Sequence, residues 1–497
     1  MVMRSEPGNK IKFIIIFLFL LNLFAGLFLI NEGLFQYDSI HLAEAVENTY
    51  KTGQLQPAVR GRYGSVIVTS ILYWPSFILG HNADFTTRFA SVLFHSLSIV
   101  MLFLFINELF GNRIQALFGA VLLSFTPFYF SSDTYGKEHG MSMFFLLLSF
   151  FLVYRGVKNK SLVLIGISSF AIAFASSIRE AMLVVTPLYF ILYLNPEISI
   201  RPFKITIPRE RFDPKMLFSL LLPFLFSFCV MYLTYLKPVI YNELFLRDTG
   251  TVVFLGIFTP VLKLVVHDLY KSVPLLLFVF FIIGVIRIGY KENFFLAIFL
   301  LLWVMPIFYF GNTQTYSPRY LDVIMVPVYI FASYALSDLY GKNKIITYIV
   351  IVYFVGSMFV FMYPMLKFRH HYNGAKQFAL YVKEKTEEDA VIITSDDRPF
   401  IRYYSDRKTI NYPINPAAYT KEVNDFVNKI DKLLMEGVPV YVTEWGLNSY
   451  DPDNILGTSL AIKFNISIIG EKLSEDYHRP DMKLDLRNQK LFKIDLR

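Results

Sequence analysis

The chain has 497 residues, of which 55% are hydrophobic and 17% are charged, and its net charge is +8. This composition excludes an ordinary soluble protein, in which about a quarter of the residues are charged, and the single cysteine excludes a disulfide framework. The basic residues fall in short loops between apolar runs, so the positive charge indicates membrane topology and excludes a nucleic-acid partner.

Apolar runs long enough to cross a membrane extend over residues 1–366. The first, IKFIIIFLFLLNLFAGLFLI (11–30), follows a basic N-terminus without a small-residue cleavage site, which predicts an uncleaved membrane helix. Further runs bring the predicted total to about eleven transmembrane helices; they begin near residues 86, 114, 139, 161, 180, 216, 272, 293, 319 and 344. The run at 63–80 contains Trp74 and Pro75 and is predicted to lie at the membrane interface.

The loops predict which end of each helix faces the cytoplasm. With the N-terminus inside, the inner loops are all basic, as the positive-inside rule requires; they are 111–113, 155–160, 201–215, 287–293 and 341–344. The outer, extracytoplasmic side then receives 32–85, 131–139, 177–180, 237–271, 311–320 and everything after about 367. Ionisable residues near membrane depth therefore collect on one predicted face, which indicates a functional site.

Residues 367–497 have the composition of a soluble domain. Apolar alternation predicts strands in AVIITSD, KTINYP, VPVYVTEW, ISIIGEKL and QKLFKIDL, with helices in GAKQFALYVKEKTEED and KEVNDFVNKIDKLLMEG. The predicted architecture is therefore an α-helical polytopic membrane domain (1–366) with a first outer loop (32–85), followed by a small extracytoplasmic α/β domain (367–497).

The first outer loop opens with QYDSIHLAEAVENTYKTG (36–53), directly behind the first membrane helix. Leu42, Val46 and Tyr50 repeat at helical spacing, which predicts a short amphipathic helix along the membrane interface that ends at Gly53. Asp38 stands at the start of this helix. Two interpretations are open: Asp38 caps the helix, or it is a catalytic acid at the membrane surface.

The spacing around Asp38 follows a longer pattern. This pattern is the consensus D-E-x-R-Y-A-x-x-x-x-x-M-x-x-x-G. Its D, A and final G fall at Asp38, Ala43 and Gly53. Ser39 stands where that consensus has a second acid, and His41 where it has arginine. Because paired acids are the usual means of bridging a metal ion, Ser39 argues against a metal at this loop.

Two later segments also match, the G-x-x-x-x-x-x-x-R-F-A-S stretch at 80–91 and SPRYLDVIMVP at 317–327. Together with the order of helices and loops over residues 11–366, these motifs resemble the GT-C superfamily of membrane glycosyltransferases. The resemblance is greatest to the branch that contains the protein O-mannosyltransferases and the aminoarabinose transferases of lipid A.

The resemblance implies an inverting sugar transfer on the outer membrane face. The donor would be a sugar linked to polyprenyl or dolichyl phosphate, and the acceptor a hydroxyl of a protein, lipid or glycan. Such a reaction needs a carboxylate that takes the proton of the acceptor hydroxyl, and Asp38 suits this role. We predict no cofactor, and a divalent metal ion stays an open question.

The lipid-phosphate leaving group needs fixed cations or hydrogen-bond donors. The candidates are Arg60, Arg62, Lys137, Arg179, Arg319 and Tyr320. The candidates that line the sugar pocket are His41, Asp133, Glu138, His139, Glu180 and Tyr316. Each also has a structural interpretation, as a helix cap, an ion pair in a tight turn or a headgroup anchor.

Two other functions are compatible with a polytopic membrane protein. A polymerase or ligase for lipid-linked oligosaccharides shares the same site chemistry but needs a larger outer cavity. A lipid or sugar transporter, or a flippase, predicts ionisable residues near the middle of the bilayer and symmetry between the two halves. The sequence places its charges near one surface instead and has no internal repeat, which favours transfer over transport.

Overall fold

The computed structural model describes residues 8–58, 62–200, 203–231, 233, 273–291, 294–305, 322–395, 397–411, 419–448, 454–475 and 486–497. The chain divides into two compact units. The first consists of Met1–Ile30 and Ala45–Leu366, and the second of Asn31–Glu44 and Lys367–Arg497. Residues 31–44, which the sequence analysis placed with the first outer loop of the membrane part, therefore pack in the second unit.

The first unit is mainly helical in its described residues. Its helices, some of which continue into the second unit, are α1 (Gly8–Phe28), α2 (Tyr37–Thr52), α3 (Tyr63–Ile78), α4 (Ala83–Phe110), α5 (Arg113–Ser124), α6 (Pro127–Thr134), α7 (His139–Lys158), α8 (Leu162–Ile178), α9 (Thr186–Leu194), α10 (Pro214–Met231), α11 (Leu275–Lys291), α12 (Phe294–Val304), α13 (Asp322–Lys342) and α14 (Lys344–His371). A 3₁₀ helix (Glu180–Val184) precedes α9, and an antiparallel hairpin, β1 (Glu197–Ile200) and β2 (Phe203–Thr206), follows it.

Six of the described helices are long and apolar enough to cross a membrane, and α5 with α6 makes a seventh if this bent pair is one span. Every apolar run that the sequence analysis predicted to cross contains a described helix, although several are short. A multi-pass membrane protein with a mainly helical fold is thus confirmed. The total of about eleven crossings stays a prediction.

The bend between α5 and α6 measures 60°. Pro127 opens α6, and proline cannot continue a preceding helix because it lacks the N–H and its ring clashes with the turn before it. Thr126, at the break, donates a 2.7 Å hydrogen bond from Oγ1 to the hydroxyl of Tyr329 on α13. The bend therefore leaves α6 as a separate, fully buried helix that carries Asp133.

Two glycines permit close helix contacts near the ends of α3 and α7. A Cβ on Gly140 would lie 2.7 Å from the backbone nitrogen of His95, and one on Gly64 would lie 2.8 Å from the backbone nitrogen of Ile178. Small residues at such positions let membrane helices approach backbone to backbone. Consequently α7 packs tightly on α4, and the start of α3 lies against the end of α8.

The second unit contains a five-stranded sheet in the order β4-β3-β5-β7-β6. Its strands are β3 (Val391–Thr394), β4 (Lys408–Asn411), β5 (Val440–Thr443), β6 (Phe464–Glu475) and β7 (Leu486–Leu496), which lie where the sequence predicted them. Strand β3 pairs in parallel with β4 and β5, and β7 pairs antiparallel with β5 and β6. The helices are α15 (Gly374–Lys385), α16 (Tyr419–Met435), α17 (Glu444–Asn448) and α18 (Ile455–Lys463).

Side chains alternate between the two faces of this sheet, as the period of a strand requires. Ile392 packs with Phe378 and Val382 of α15, whereas the next residue, Ile393, packs on the other face with Val427 of α16. Because both faces are covered, β3 and β5 are buried throughout.

The segment 31–44 is held in the second unit by specific contacts. The guanidinium of Arg369 lies 4.0 Å from the centre of the Phe35 ring. The Tyr404 hydroxyl accepts a 2.9 Å hydrogen bond from the backbone N–H of Leu34, and the side-chain amide of Asn373 donates a 2.9 Å bond to the carbonyl of Leu34. These residues lie far apart in sequence, so no local pattern predicts the grouping.

Replacing Gly140 with alanine is expected to destabilise the protein. Its Cβ would meet backbone atoms of α4, which cannot rotate away, and overpacking of this kind costs about 1–3 kcal/mol. Gly356→Ala is the matched control, because Gly356 in α14 has no atom within 4 Å of its Cβ position. Thermal unfolding in detergent should show a lower midpoint for Gly140→Ala alone; equal midpoints for the two variants would contradict the close packing.

Candidate active site

Most of the predicted site residues in the first unit meet at one set of helix ends. We refer to this set of side chains as the charged cluster; it consists of Arg62, His95, Asp133, Lys137, Glu138, His139, Arg179, Glu180 and Asp322. They come from the starts of α3, α7, α13 and the 3₁₀ helix, from the ends of α6 and α8, and from the middle of α4. All are buried except Glu180, which is partly exposed.

Arg62 joins three elements of the cluster. It precedes α3, and its Nε and Nη2 donate bonds of 2.9 and 2.8 Å to the two carboxylate oxygens of Glu180. Its Nη1 also donates to Glu138, which precedes α7. A planar guanidinium suits this two-pronged recognition of a carboxylate. Arg62 therefore holds the starts of α3, α7 and the 3₁₀ helix together.

Arg179 lies next to Glu180 but has different partners. Its Nη1 donates a 3.0 Å bond to Oδ2 of Asp322, the first residue of α13. The same carboxylate oxygen lies 2.6 Å from Nδ1 of His139, which in turn lies 3.0 Å from Nη1 of Arg179. A ring nitrogen either donates or accepts, so Nδ1 donates to Asp322 or accepts from Arg179.

Asp133 ties α6 to both α4 and α7. Its Oδ2 lies 2.9 Å from Nδ1 of His95, and its Oδ1 accepts a 3.0 Å bond from the backbone N–H of Gly140. Beside it, the backbone carbonyl of Lys137 accepts a 2.6 Å bond from the hydroxyl of Ser91. Lys137 itself is buried, with 2% exposure.

The cluster combines both signs of charge in a place with little water. Buried charges are costly unless opposite charges and hydrogen bonds meet them, and here carboxylates accompany each arginine. Fixed donors of this kind can receive negative charge that develops in a reaction without having to reorganise. Among the described residues, no group of three or more His, Cys, Asp or Glu is arranged as a metal site.

Asp38 and His41 belong to the second unit. The helix α2 begins at Tyr37, so Asp38 lies inside its first turn, where the helix dipole favours a negative charge. His41 lines a cavity of about 290 Å³ in this unit; its other lining residues are Tyr37, Ser395, Arg398, Pro399, Arg402 and Asn411.

Glu44 orients His41. Its Oε2 lies 3.1 Å from Nδ1 of His41, and both of its oxygens accept hydrogen bonds from the guanidinium of Arg402. Burial raises the pKa of Glu44, but the hydrogen bonds with His41 and Arg402 outweigh it and hold the pKa below its ordinary value. The carboxylate is therefore charged at neutral pH and fixes one wall of the cavity.

Several predicted residues lie outside the described part of the chain: Arg60, Tyr316, Arg319 and Tyr320, and the whole predicted loop 237–271. Two cluster residues were missed. Asp322 directly follows the SPRYL motif, which was the available signal, and His95 lies one turn after the R-F-A-S motif.

The sequence of residues 66–205 matches the family model described as dolichyl-phosphate-mannose-protein mannosyltransferase. This range holds the whole cluster except Arg62 and Asp322. No curated protein matches the chain. The structure of ArnT from Cupriavidus metallidurans bound to undecaprenyl phosphate is similar over 98% of both chains, with a TM-score of 0.61 and 13% identity.

The chain has the GT-C fold. Two further structures of this superfamily agree with that conclusion. The archaeal oligosaccharyltransferase AglB from Archaeoglobus fulgidus, in complex with an inhibitory peptide and a dolichol-phosphate, matches with a TM-score of 0.53 and 13% identity over 97% of this chain and 75% of its own. The mycobacterial arabinofuranosyltransferase AftD, mutant R1389S, matches with a TM-score of 0.55 and 11% identity over 100% of this chain and 42% of its own. The resemblance predicted from the sequence is confirmed.

Replacing Asp322 with asparagine should strongly destabilise this GT-C unit. The change leaves Arg179 buried beside a neutral amide, and breaking a buried ion pair costs about 3–5 kcal/mol. Asp338→Asn on the same helix is the control, because its pair with Arg287 is about a third exposed and contributes about 0–1 kcal/mol. Thermal unfolding and size-exclusion profiles measure the difference; similar losses in both variants would show that burial of the Arg179 pair is unimportant.

Proposed function

We propose that the protein is an inverting glycosyltransferase that moves a sugar from a polyprenyl- or dolichyl-phosphate donor to an acceptor hydroxyl on the outer membrane face. The observation that carries this proposal is the coincidence of the family match at 66–205 with most of the charged cluster. The GT-C fold supports it. The acceptor is a hydroxyl of a protein, a lipid or a glycan.

The chemistry of the cluster and the ligands of similar proteins support the proposed donor class. The ArnT structure contains undecaprenyl phosphate, and the AglB structure contains a dolichol-phosphate. In this chain, Lys137, Arg62 and Arg179 would stabilise the phosphate as it leaves, together with Arg60, Arg319 and Tyr320. Arginine and lysine are the usual partners of phosphate oxygens.

Asp38 is the proposed base. The acceptor oxygen attacks the anomeric carbon, its proton passes to the Asp38 carboxylate, and the bond from that carbon to the phosphate oxygen breaks. The electron pair of the broken bond stays on the lipid phosphate, and a single displacement inverts the configuration. The place of Asp38 in the first turn of α2 suits this role, since a helix N-terminus favours a negative charge.

The contacts divide the remaining predicted residues by role. Glu138 and Glu180 bind Arg62, and His139 lies against Arg179, so we assign these three to positioning the arginines. Asp133 positions the loop that carries Lys137, through its bond to Gly140. His41 and Tyr316 stay assigned to the sugar pocket.

We also propose the topology that the basic loops predict. The N-terminus is cytoplasmic, about eleven helices cross the membrane, and the α/β part (367–497) is extracytoplasmic. This arrangement puts the short loops rich in lysine and arginine on the cytoplasmic side. It is supported by the meeting of helix ends in the charged cluster, since these ends all belong to loops predicted to be outside.

The similarity to AglB favours one second candidate, a transferase for lipid-linked oligosaccharides. A comparison of donors with one sugar and with several sugars separates the two. Transfer from the single-sugar donor supports the first proposal, whereas turnover of the oligosaccharide donor alone supports the second.

Asp38→Asn should abolish sugar transfer while leaving the fold intact. Loss of a general base reduces turnover by at least about a hundredfold. The assay follows label from polyprenyl-phosphate sugars in membranes that contain the protein, with expression and unfolding measured in parallel. Glu47→Gln, the same type of change at a partly exposed position of α2 that pairs with Lys51, serves as the control. Undiminished turnover by Asp38→Asn would remove Asp38 from the mechanism.

Lys137→Met should weaken the use of the donor. We expect kcat/KM for the labelled donor to fall about tenfold or more, because one charge-assisted contact to phosphate is lost. Lys158→Met, at the other end of α7, is the control, since that side chain is 60% exposed and pairs with Glu108. If both lysine variants behave alike, Lys137 does not contact the donor.

A further inference from the structure

A second cavity in the α/β unit is basic, and it shares Arg398 and Arg402 with the cavity that His41 lines. Its volume is about 550 Å³. The residues that line it are Val391, Arg398, Arg402, Asp406, Arg407, Lys408, Thr409, Ile410, Lys429 and Leu433. Five of them are basic and one is acidic, so the cavity is positively charged.

The cations come from separate elements that converge on this space. Arg398 begins the short helical turn after β3, Lys408 begins the strand β4, and Lys429 lies on α16. Convergence from a strand, a turn and a helix makes the cavity a product of the fold rather than a run of basic residues in the sequence.

Hydrogen bonds to neutral groups fix the side chain of Arg407. Its Nη2 donates bonds of 3.1 and 3.0 Å to the backbone carbonyls of Lys383 and Thr386, and its Nε donates a 3.2 Å bond to the hydroxyl of Thr386. These partners are neutral, so they satisfy its N–H groups without cancelling its charge. A preorganised cation of this kind attracts an anion with little loss of side-chain freedom.

Arg398 has an unused donor. Its Nε is buried and has no hydrogen-bond partner among the residues that the structure describes. A buried donor without a partner is costly, and a small shift of the side chain towards a ligand oxygen would remove that cost. Arg402, which also lines the cavity, is compensated by Glu44, and Asp406 is the one acid in the described lining, so the basic residues outnumber the acids around the cavity.

The ordinary alternative is a solvated positive face, in which water alone satisfies the charges. It explains Lys408 and Lys429, which are exposed. It does not explain the buried Nε of Arg398, which has no partner among the described residues. Guanidinium groups beside a cavity are typical of oxyanion sites, where phosphate or carboxylate oxygens accept hydrogen bonds from two N–H groups of the same guanidinium.

We propose that this cavity binds a phosphate group. The group is carried by the acceptor or by the headgroup of an anionic lipid, since both present the same oxygens. The cavity is separate from the charged cluster. The assignment of the phosphate to the acceptor rests on the proposed sugar transfer, whereas binding of a lipid headgroup does not.

The test titrates inorganic pyrophosphate into the full chain in nanodiscs of neutral phosphatidylcholine, with binding measured by calorimetry. Arg398→Gln should weaken binding about tenfold or more, because a charge-assisted hydrogen bond to phosphate is lost. The double variant Lys408→Gln/Lys429→Gln changes exposed side chains and keeps the test valid if Arg398→Gln does not fold. It too should weaken binding.

Two controls isolate the cavity. Lys432→Gln lies on α16 like Lys429 but pairs with Glu436 and does not line the cavity, so binding should be unchanged. Lys137→Met should weaken only pyrophosphate binding by the charged cluster, so the binding that persists in this variant and is lost in the cavity variants belongs to the cavity. Absence of binding by the unaltered chain, or equal affinity in the cavity variants, would overturn the proposal.

The source of the phosphate is then found by changing the lipid. If nanodiscs with anionic phosphatidylglycerol weaken the binding of pyrophosphate, headgroups occupy the cavity and the lipid is the source. If the affinity is the same in both lipids, the phosphate comes from the acceptor. Either result supports a phosphate site.

Discussion

The burial of arginine beside carboxylates is the constraint on which the membrane unit depends. A guanidinium in a membrane protein interior is tolerated only when acids meet it, and this requirement determines which helix ends lie side by side. Arg62 binds Glu138 and Glu180, and Arg179 binds Asp322. The starts of three helices and the end of a fourth are thereby joined. The same contacts hold the arginines rigidly, which favours the stabilisation of a charged leaving group.

The helices and strands follow closely from the sequence because their signals are local. Apolar runs locate the membrane helices, and alternation locates the five strands of the second unit. The likeness to GT-C enzymes was also predictable, since the spaced motifs around Asp38 and at 317–327 are recognised from the local sequence alone. Even the grouping of acids and bases at one set of helix ends was predictable from the order of loops.

The pairing of charges was not predictable. Arg179 and Glu180 are neighbours, and the structural interpretation treated them as an ion pair, but they bind Asp322 and Arg62, which are 143 and 118 residues away. The sequence did not predict that residues 31–44 belong to the second unit, for the same reason. The hydrogen bond from Leu34 to Tyr404 joins residues that lie 370 positions apart. Such contacts depend on tertiary packing, and spacing along one chain does not encode them.

The second unit is discontinuous in sequence, and this limits how the protein can be recombined. Phe35 and Leu34 are buried against residues near Arg369 and Tyr404, so the carboxy-terminal segment is incomplete without a short piece from behind the first membrane helix. A chimera that exchanges only residues after 366 with those of a relative would separate these partners. Both segments must be transferred together, and Asp38 belongs to the first of them, so an exchange of the second unit by recombination also replaces the surroundings of the proposed base.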